Sequence, residues 1–252
     1  MSKPFLLAQI SDTHIGGTFA GGDPVAALAR AVRELRGPDR PDAVLVTGDV
    51  ADTGEREQVR VAGELLAELG GPVYPLPGNH DSRAALRSQF SLPGSGDEPI
   101  QYAVSLGPLR LVAMDTTIPG DVPGQLDAAR LAWLDAELAR APAQPTLLAM
   151  HHPPFATGVP AWDRIGIDPD DREALAEVLA RNRQVRRIVA GHVHMTIAGQ
   201  VGGCVALTAP ATYGQSRLSF EGGIELVSGP PGFAVHVLTD GEIVSFARQL
   251  DG

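Results

Sequence analysis

The chain contains a single cysteine, Cys204, in 252 residues, so no internal disulfide framework can staple it. The neighbours Gly202, Gly203 and Val205 read as the start of a strand, which favours a buried thiol over a nucleophilic one. Positive charge is scarce. A net charge of −10 leaves nothing to displace phosphate counterions over a broad face, which argues against a general nucleic-acid surface or an anionic membrane surface. Long apolar runs are lacking too. The stretch Phe5 to Ile10 is too short for a signal-peptide core with its cleavage site, and no later run reaches bilayer length, so a cytoplasmic protein with no membrane partner is expected. No low-complexity stretch or charge block marks a linker, and residues 1–252 are read as one domain.

What is present in quantity is an alternation of short apolar runs with amphipathic segments, the pattern of βαβ units. Phe5 to Ile10 reads as a strand. Asp23-Pro24 opens a helix with Val25, Leu28, Ala29, Val32 and Leu35 at helical spacing, and Ala43 to Thr47 is the next strand. Val59, Ala62, Leu65, Leu66 and Leu69 line a second helix that stops at Gly70-Gly71, before a strand from Val73 to Leu76. Tyr102 to Leu106 and Leu109 to Met114 read as neighbouring strands joined through Gly107-Pro108, so the sheet is not purely parallel. A helix carrying Leu126, Leu134 and Leu138 leads to a strand at Thr146 to Met150. A helix from Asp170 to Arg181 leads to one at Arg187 to Ala190. The tail from Thr196 onward is strand-rich, with turns at Gly202-Gly203 and Asp240-Gly241. Such a tail on a βαβ front suggests two packed sheets with helices outside.

The seven histidines are not scattered. His14, His80, His151, His152, His192 and His194 all fall just after an apolar run, beside Asp, Asn or Gly; only His236 sits inside a strand-like segment. Asp12 and His14 follow the first strand, Gly48-Asp49 the second, and Gly78-Asn79-His80-Asp81 the third. His151-His152 and His192-Val193-His194 follow later ones. In open α/β sheets the binding crevice lies beyond the carboxyl ends of the strands, so these loops should converge. The set is too rich in oxygen for a thiolate zinc site and too rich in nitrogen for calcium or an all-oxygen magnesium cage; it suits Mn, Fe, Co or Zn. It also exceeds what one four- to six-coordinate ion needs, which points to two ions sharing a carboxylate.

In this order the motifs D-x-H (Asp12, His14), G-D-x-x-D (Gly48 to Asp52), G-N-H-D (Gly78 to Asp81), H-H-P-P (His151 to Pro154) and G-H-x-H (Gly191 to His194) resemble the calcineurin-like metallophosphoesterase superfamily. The G-N-H-D and H-H-P-P forms are most similar to bacterial class III cyclic nucleotide phosphodiesterases and the related glycerophosphodiesterases. The resemblance implies an α/β fold, the four-layer αββα sandwich of two mixed sheets flanked by helices. It implies two divalent metal ions, with Asp12, His14 and His194 on the first, Asp49 bridging, and Asn79, His151 and His192 on the second. Asn79, the neutral and weakest ligand, makes the second ion the more labile. His80 would lie over the site, binding a phosphate oxygen or protonating the leaving alkoxide, with Asp81 orienting its ring. His152 is expected to brace its loop, and Asp52 to stabilise the loop after the bridge.

Departures from other branches narrow the activity. Protein Ser/Thr phosphatases carry G-D-x-V-D-R-G, and here Thr53 stands in place of the Arg. Purple acid phosphatases place a ligand Tyr where Asp52 stands, and nucleases of the superfamily need a basic surface that is absent. The expected activity is hydrolysis of a small phosphodiester, a 3',5'-cyclic nucleotide such as cyclic AMP or a glycerophosphodiester, by a metal-activated hydroxide. A phosphomonoesterase and a non-catalytic scaffold of the same fold are the alternatives. Residues 210–232 follow the last metal loop and either shape the pocket or form a surface loop; Tyr213 within them either stacks on the substrate or packs. The oligomeric state, including a homo-oligomer, is left open by the sequence.

Overall fold

The structure is a computed structural model describing residues 3–251. Its first half runs β1 (Phe5–Ile10), α1 (Pro24–Leu35), β2 (Ala43–Thr47), α2 (Arg56–Ala67) and β3 (Val73–Leu76), followed by a short α3 (Arg83–Gln89). The hairpin β4 (Tyr102–Leu106) and β5 (Leu109–Ala113) leads to α4 (Ala128–Ala139), β6 (Thr146–Ala149), a one-turn α5 (Pro160–Asp163), α6 (Pro169–Arg181) and β7 (Val185–Ala190). The tail holds β8 (Ala198–Val201), β9 (Cys204–Thr208), the two-residue strands β10 (Gln215–Ser216) and β11 (Leu226–Val227), β12 (Gly232–Thr239) and β13 (Glu242–Gln249).

Helix starts follow their local chemistry. The Asp23 carboxylate accepts from the Val25 amide ahead of Pro24, and Asp168 accepts from Asp170 ahead of Pro169, so each cap satisfies an amide that the helix leaves free. Leu126 is buried but precedes α4, because Asp127 caps that helix by accepting from the Arg130 amide. The short elements α3, α5, β10 and β11 lie outside the periodicity of the sequence, having too few residues to display one.

Apart from the antiparallel pair β10-β11, the strands form two mixed sheets. One has the order β13-β12-β1-β2-β3, with β1, β2 and β3 parallel and the tail strands β12 and β13 antiparallel at its edge. The other has the order β4-β5-β6-β7-β9-β8, parallel from β5 through β9 with an antiparallel strand at each edge. Alternation along each strand builds three apolar layers. Ala8, Ile10, Val44 and Val46 pack outward on Leu28, Val32, Val59 and Leu66 of α1 and α2. Leu148, Met150 and Ile188 pack outward on Leu134, Leu138, Leu175 and Val178 of α4 and α6. Leu7, Leu45, Leu76, Leu111, Leu147, Val189 and Leu238 fill the space between the sheets. The result is the four-layer αββα sandwich, and the parallel strands of both sheets end at the same rim.

Cys204 opens β9 and is buried, and burial pushes its thiol up to about 11, which leaves it unreactive. Among the described residues no helix is long and apolar enough to cross a membrane.

Candidate metal centre

Loops leaving β1, β2, β3, β6 and β7 bring Asp12, His14, Asp49, Asn79, His151, His192 and His194 together. Asp12, His14, Asp49, His192 and His194 account for all but one of the non-glycine residues with positive φ among the described residues, at 53°, 41°, 49°, 71° and 52°. The remaining one, Asp240, belongs to the β12-β13 turn. A left-handed backbone is unfavourable for such residues, and strain gathered at one place marks a centre that the surrounding structure is built to hold. Close approach does the rest. A Cβ on Gly191 would lie 2.0 Å from Ser11 Oγ and 2.8 Å from Asp12 Oδ2, so only glycine lets the β7 loop meet the β1 loop.

Two nests of donor atoms result. In the first, His14 Nε2 and His194 Nε2 are 3.2 Å apart, with Asp12 Oδ1 at 3.5 Å from His194 Nε2 and Asp49 Oδ2 at 3.6 Å from His14 Nε2. In the second, Asn79 Oδ1 lies 3.0 Å from His151 Nε2 and 3.1 Å from His192 Nδ1, with Asp49 Oδ2 at 3.4 Å from His151 Nε2. One atom, Asp49 Oδ2, faces both nests. Its partner Oδ1 accepts from the His80 amide at 2.9 Å, which fixes the carboxylate's orientation.

Ring orientations leave one nitrogen of each ring pointing inward. His194 Nδ1–H donates to the Gly214 carbonyl at 2.6 Å, His151 Nδ1–H to the Thr47 carbonyl at 2.8 Å, and His14 Nδ1–H to Asp52 Oδ1 at 3.1 Å. Each Nε2 is then the nitrogen turned inward, free to take a metal ion once any proton on it is released, which is how metal-binding histidines are held. Burial holds the His192 and His194 rings below the usual histidine range and so in the neutral form. Burial alone would raise the Asp49 carboxyl, but the neighbouring His151, His14 and His80 hold it well below the carboxylate range. Burial likewise opposes charge on His151, and Asp49 together with Asp12 reverses this and lifts the ring to about 9. Asp12 and Asp49 at the middle of these inward-facing nitrogens attract cations, and the donor set of imidazole, carboxylate and amide oxygen suits divalent metal ions.

Proximity alone would add His152, whose ring stands beside His151 and His192. Both its nitrogens are committed elsewhere: Nδ1 to the Thr116 hydroxyl at 2.8 Å and Nε2–H to the Val122 carbonyl at 2.9 Å. Burial lowers it to about 3, and as a neutral brace it ties the loop after β6 to the segment near Val122.

The structure corrects two positions. The Asp81 carboxylate does not meet the His80 ring; it accepts from the amides of Gly78, Val50 and Ala51 at 2.9, 3.2 and 3.0 Å, and so pins the β2 and β3 loops together. Burial and then the Asp49 charge push it up to about 6. His80 is oriented instead by the Asp52 carbonyl, which accepts from its Nδ1–H at 2.7 Å. Tyr213 is only 4% exposed, and its ring packs edge-on to Phe19 at 5.1 Å between centroids, so Phe19 reaches the mouth and Tyr213 lies behind it.

The mouth over the donor nests is a cavity of about 270 Å³ whose apolar wall comprises Phe19, Val122, Trp162, Ile165, Ile224 and Leu226. Ile224 and Leu226 belong to the 210–232 segment that the sequence offers as pocket wall or surface loop; Phe19, Val122, Trp162 and Ile165 were not reached by sequence reasoning. Phe19, Val122 and Ile224 are large apolar side chains left exposed at 41%, 44% and 39%, and their gathering around one opening marks a binding surface. A polar groove of about 310 Å³ adjoins it through Asn79 and His80 and includes Thr53, Ser82, Asp97 and Thr117. Its one cation, Arg83, is fully engaged by Asp115, the Asp97 carbonyl and Thr117.

An αββα sandwich carrying a histidine and aspartate centre at the carboxyl ends of its strands defines a class of metal-dependent hydrolases. Residues 5–196 match the family described as Calcineurin-like phosphoesterase, and the chain belongs to that family. A cAMP/cGMP dual specificity phosphodiesterase from Mycobacterium tuberculosis is 35% identical over 247 residues, covering 94% of this chain and 77% of the relative. A glycerophosphodiester phosphodiesterase from Enterobacter lignolyticus is 33% identical over 255 residues, covering 97% and 91%. A dimetal phosphatase from Danio rerio superposes with a TM-score of 0.76 at 20% identity, covering 98% of this chain and 97% of that one, a likeness of fold.

Proposed function

We propose that the protein is a phosphodiesterase of small substrates that works with two divalent cations drawn from Mn, Fe, Co and Zn. The observation that carries this is Asp49 Oδ2, a single carboxylate oxygen within 3.6 Å of His14 Nε2 and 3.4 Å of His151 Nε2, placed to be shared between two ions. Asp12, His14, Asp49 and His194 would hold one ion; Asp49, Asn79, His151 and His192 would hold the other. The pair His192 and His194 is therefore split between the ions, consistent with His192 facing Asn79 through Nδ1 while His194 faces His14 through Nε2.

When bound, two such ions neutralise phosphoryl oxygens and make a hydroxide available as nucleophile near neutral pH. The chain's own residues do the remaining work. His80 lines both the mouth and the polar groove; with Nδ1–H on the Asp52 carbonyl its Nε2 is the free nitrogen, and in the doubly protonated ring it would donate to a phosphate oxygen or protonate the departing alkoxide. The Asp52 carboxylate holds His14 in its inward tautomer, and Asp81 fixes the loops that carry Asp49 and Asn79.

Charge supports a diester over a monoester. Neither the mouth nor the adjoining groove presents a free Lys or Arg, so beyond the metal ions and His80 no cation is placed to balance the second negative charge of a monoester. A singly charged diester with one apolar arm and one hydroxylated arm matches the two recesses that meet at Asn79 and His80. A 3',5'-cyclic nucleotide or a glycerophosphodiester, the substrate types named for the two relatives, meets that description. The single buried cysteine suits a reducing compartment, and we place the protein in the cytoplasm. The test is a panel of cyclic AMP, cyclic GMP, glycerophosphocholine, bis-p-nitrophenyl phosphate and p-nitrophenyl phosphate with Mn2+-loaded protein. Diesters should be hydrolysed in preference; preference for the monoester would overturn the reading.

A further inference from the structure

His236 is the one histidine outside the centre, yet it is 1% exposed and every polar atom of its ring is used. The Ser245 hydroxyl donates to its Nδ1 at 2.8 Å, and its Nε2–H donates to Gln9 Oε1 at 3.0 Å. Gln9 is wholly buried and spends both amide hydrogens, on Thr47 Oγ1 at 2.8 Å and on the Ala190 carbonyl at 2.9 Å. The Thr47 hydroxyl donates onward to Ser11 Oγ at 2.8 Å. A hydrogen-bonded chain thus runs from β13 and β12 through β1 to the ends of β2 and β7.

The endpoints of this chain are what give it meaning. Thr47 is the last residue of β2 and stands two residues before Asp49; its carbonyl also receives the His151 ring. Ala190 is the last residue of β7 and stands two residues before His192. Ser11 precedes Asp12. The strands β1 and β2 belong to one sheet and β7 to the other, so the Gln9 side chain is a polar tie across a largely apolar interlayer; Tyr102 on the Pro75 carbonyl and Arg187 on the Ile243 carbonyl also cross it, but only Gln9 ends on the strand termini that lead into the donor nests. Asp12 and Asp49 come from the first sheet; His151, His192 and His194 come from the second. A shared carboxylate can serve two ions only if the sheets are held at one spacing. Leucine or valine at positions 9 and 236 would match the rest of that layer, and a buried polar pair is retained at a cost unless it fixes a geometry.

We propose that Gln9 and His236 are positioning residues that set the separation of the two sheets at the metal centre, with His236 locking the Gln9 amide in the orientation that reaches Thr47 and Ala190 together. The inference rests on the two-metal reading above. Neither residue touches substrate or metal; both act through the strand ends.

The test uses full-length wild type, Gln9→Met, His236→Leu and His236→Gln. Met keeps the volume of Gln9 and removes the tie. The Gln side chain at 236 retains a donor toward Gln9 and an acceptor toward Ser245. Mn2+ binding is measured by calorimetry, the spin coupling of bound Mn2+ by electron paramagnetic resonance, and folding by circular dichroism. Gln9→Met and His236→Leu should fold, bind at least one equivalent of Mn2+ roughly ten-fold more weakly, and show a diminished spin-coupled signal, as losses beneath metal ligands do. His236→Gln should restore both affinity and coupling. Should Gln9→Met not fold, the comparison of His236→Leu with His236→Gln decides. Folded variants that bind two Mn2+ with wild-type affinity and coupling, losing thermal stability only, would overturn the inference and leave the functional reading intact. A wild type that binds no Mn2+ would overturn both.

Discussion

His14 Nε2 and His194 Nε2 face each other at 3.2 Å, although each ring already spends its Nδ1–H elsewhere, His14 on Asp52 and His194 on the Gly214 carbonyl. With both Nδ1–H groups spent, the two Nε2 atoms turn to the same space, which holds at most one proton between them. A divalent ion held by both rings would take the place of that proton and bond to each. Metal removal should therefore destabilise the fold as well as silence it. At free Mn2+ a hundred times the dissociation constant, each bound ion adds about 2.7 kcal/mol, or roughly 5 to 10 °C in a chain of this size. Thermal melts with chelator and with excess Mn2+ check this, and identical melting temperatures would count against a metal centre.

Asp52 should govern metal affinity without binding metal. Its Oδ1 accepts from His14 Nδ1 at 3.1 Å, and that hydrogen bond comes first among the causes that lower its pKa. Replacing Asp52 by Ala leaves the His14 tautomer unset and should weaken Mn2+ binding about 10- to 100-fold while the fold persists. Calorimetric titration of the folded variant reads the change directly.

His80 should matter in proportion to how poor the leaving group is. A cyclic nucleotide or glycerol alkoxide needs a proton as it departs, whereas p-nitrophenolate does not. His80→Ala should lower kcat about 100-fold or more on the alkoxide substrates and far less on bis-p-nitrophenyl phosphate. Equal losses on both would assign His80 to phosphate binding alone.

The interlayer predicts a pH dependence of stability. Burial, and then the Arg187 charge, lower His236 from its ordinary value near 6.5 to about 3. Between those values the unfolded chain takes up a proton that the folded one refuses. The contribution is therefore complete above about pH 6.5 and is lost as the pH falls toward 3, at about 1.4 kcal/mol per pH unit. His152, lowered to about 3 by burial and the neighbouring His151, acts in the same direction. In chelated protein, denaturant unfolding of His236→Gln between pH 6.5 and 4 should show a shallower loss of stability than wild type. Parallel curves would show that His236 is protonated in the fold.

Much of this architecture was legible because apolar runs and the polar residues that end them carry separate information. A run such as Ala43 to Thr47 says strand, and Gly48-Asp49 at its end says rim. Alternation then dictates that Leu45 turns inward while Val44 and Val46 face the helices. Side-chain direction beyond that was not legible. Asp81 adjoins His80 in sequence, but the amides of Val50 and Ala51 come from another loop and capture its carboxylate first. His152, beside Pro153, reads as a brace for its loop, but the partners that take its two nitrogens, Thr116 and Val122, lie 30 residues or more away and no spacing points to them. The mouth draws Phe19, Trp162 and Ile224 from loops far apart in the chain, where no spacing relates them. His236 read as an ordinary strand histidine because its partner Gln9 lies 227 residues away.

The central claim is that two ions, joined through Asp49, are needed for diester hydrolysis. Metal-free protein titrated with Mn2+ while bis-p-nitrophenyl phosphate hydrolysis is followed tests it most directly, with Asp49→Ala as the paired control. Activity should rise to a plateau at two equivalents per chain and be lost in the variant. A plateau at one equivalent, hydrolysis by the metal-free protein, or undiminished activity in Asp49→Ala would contradict it.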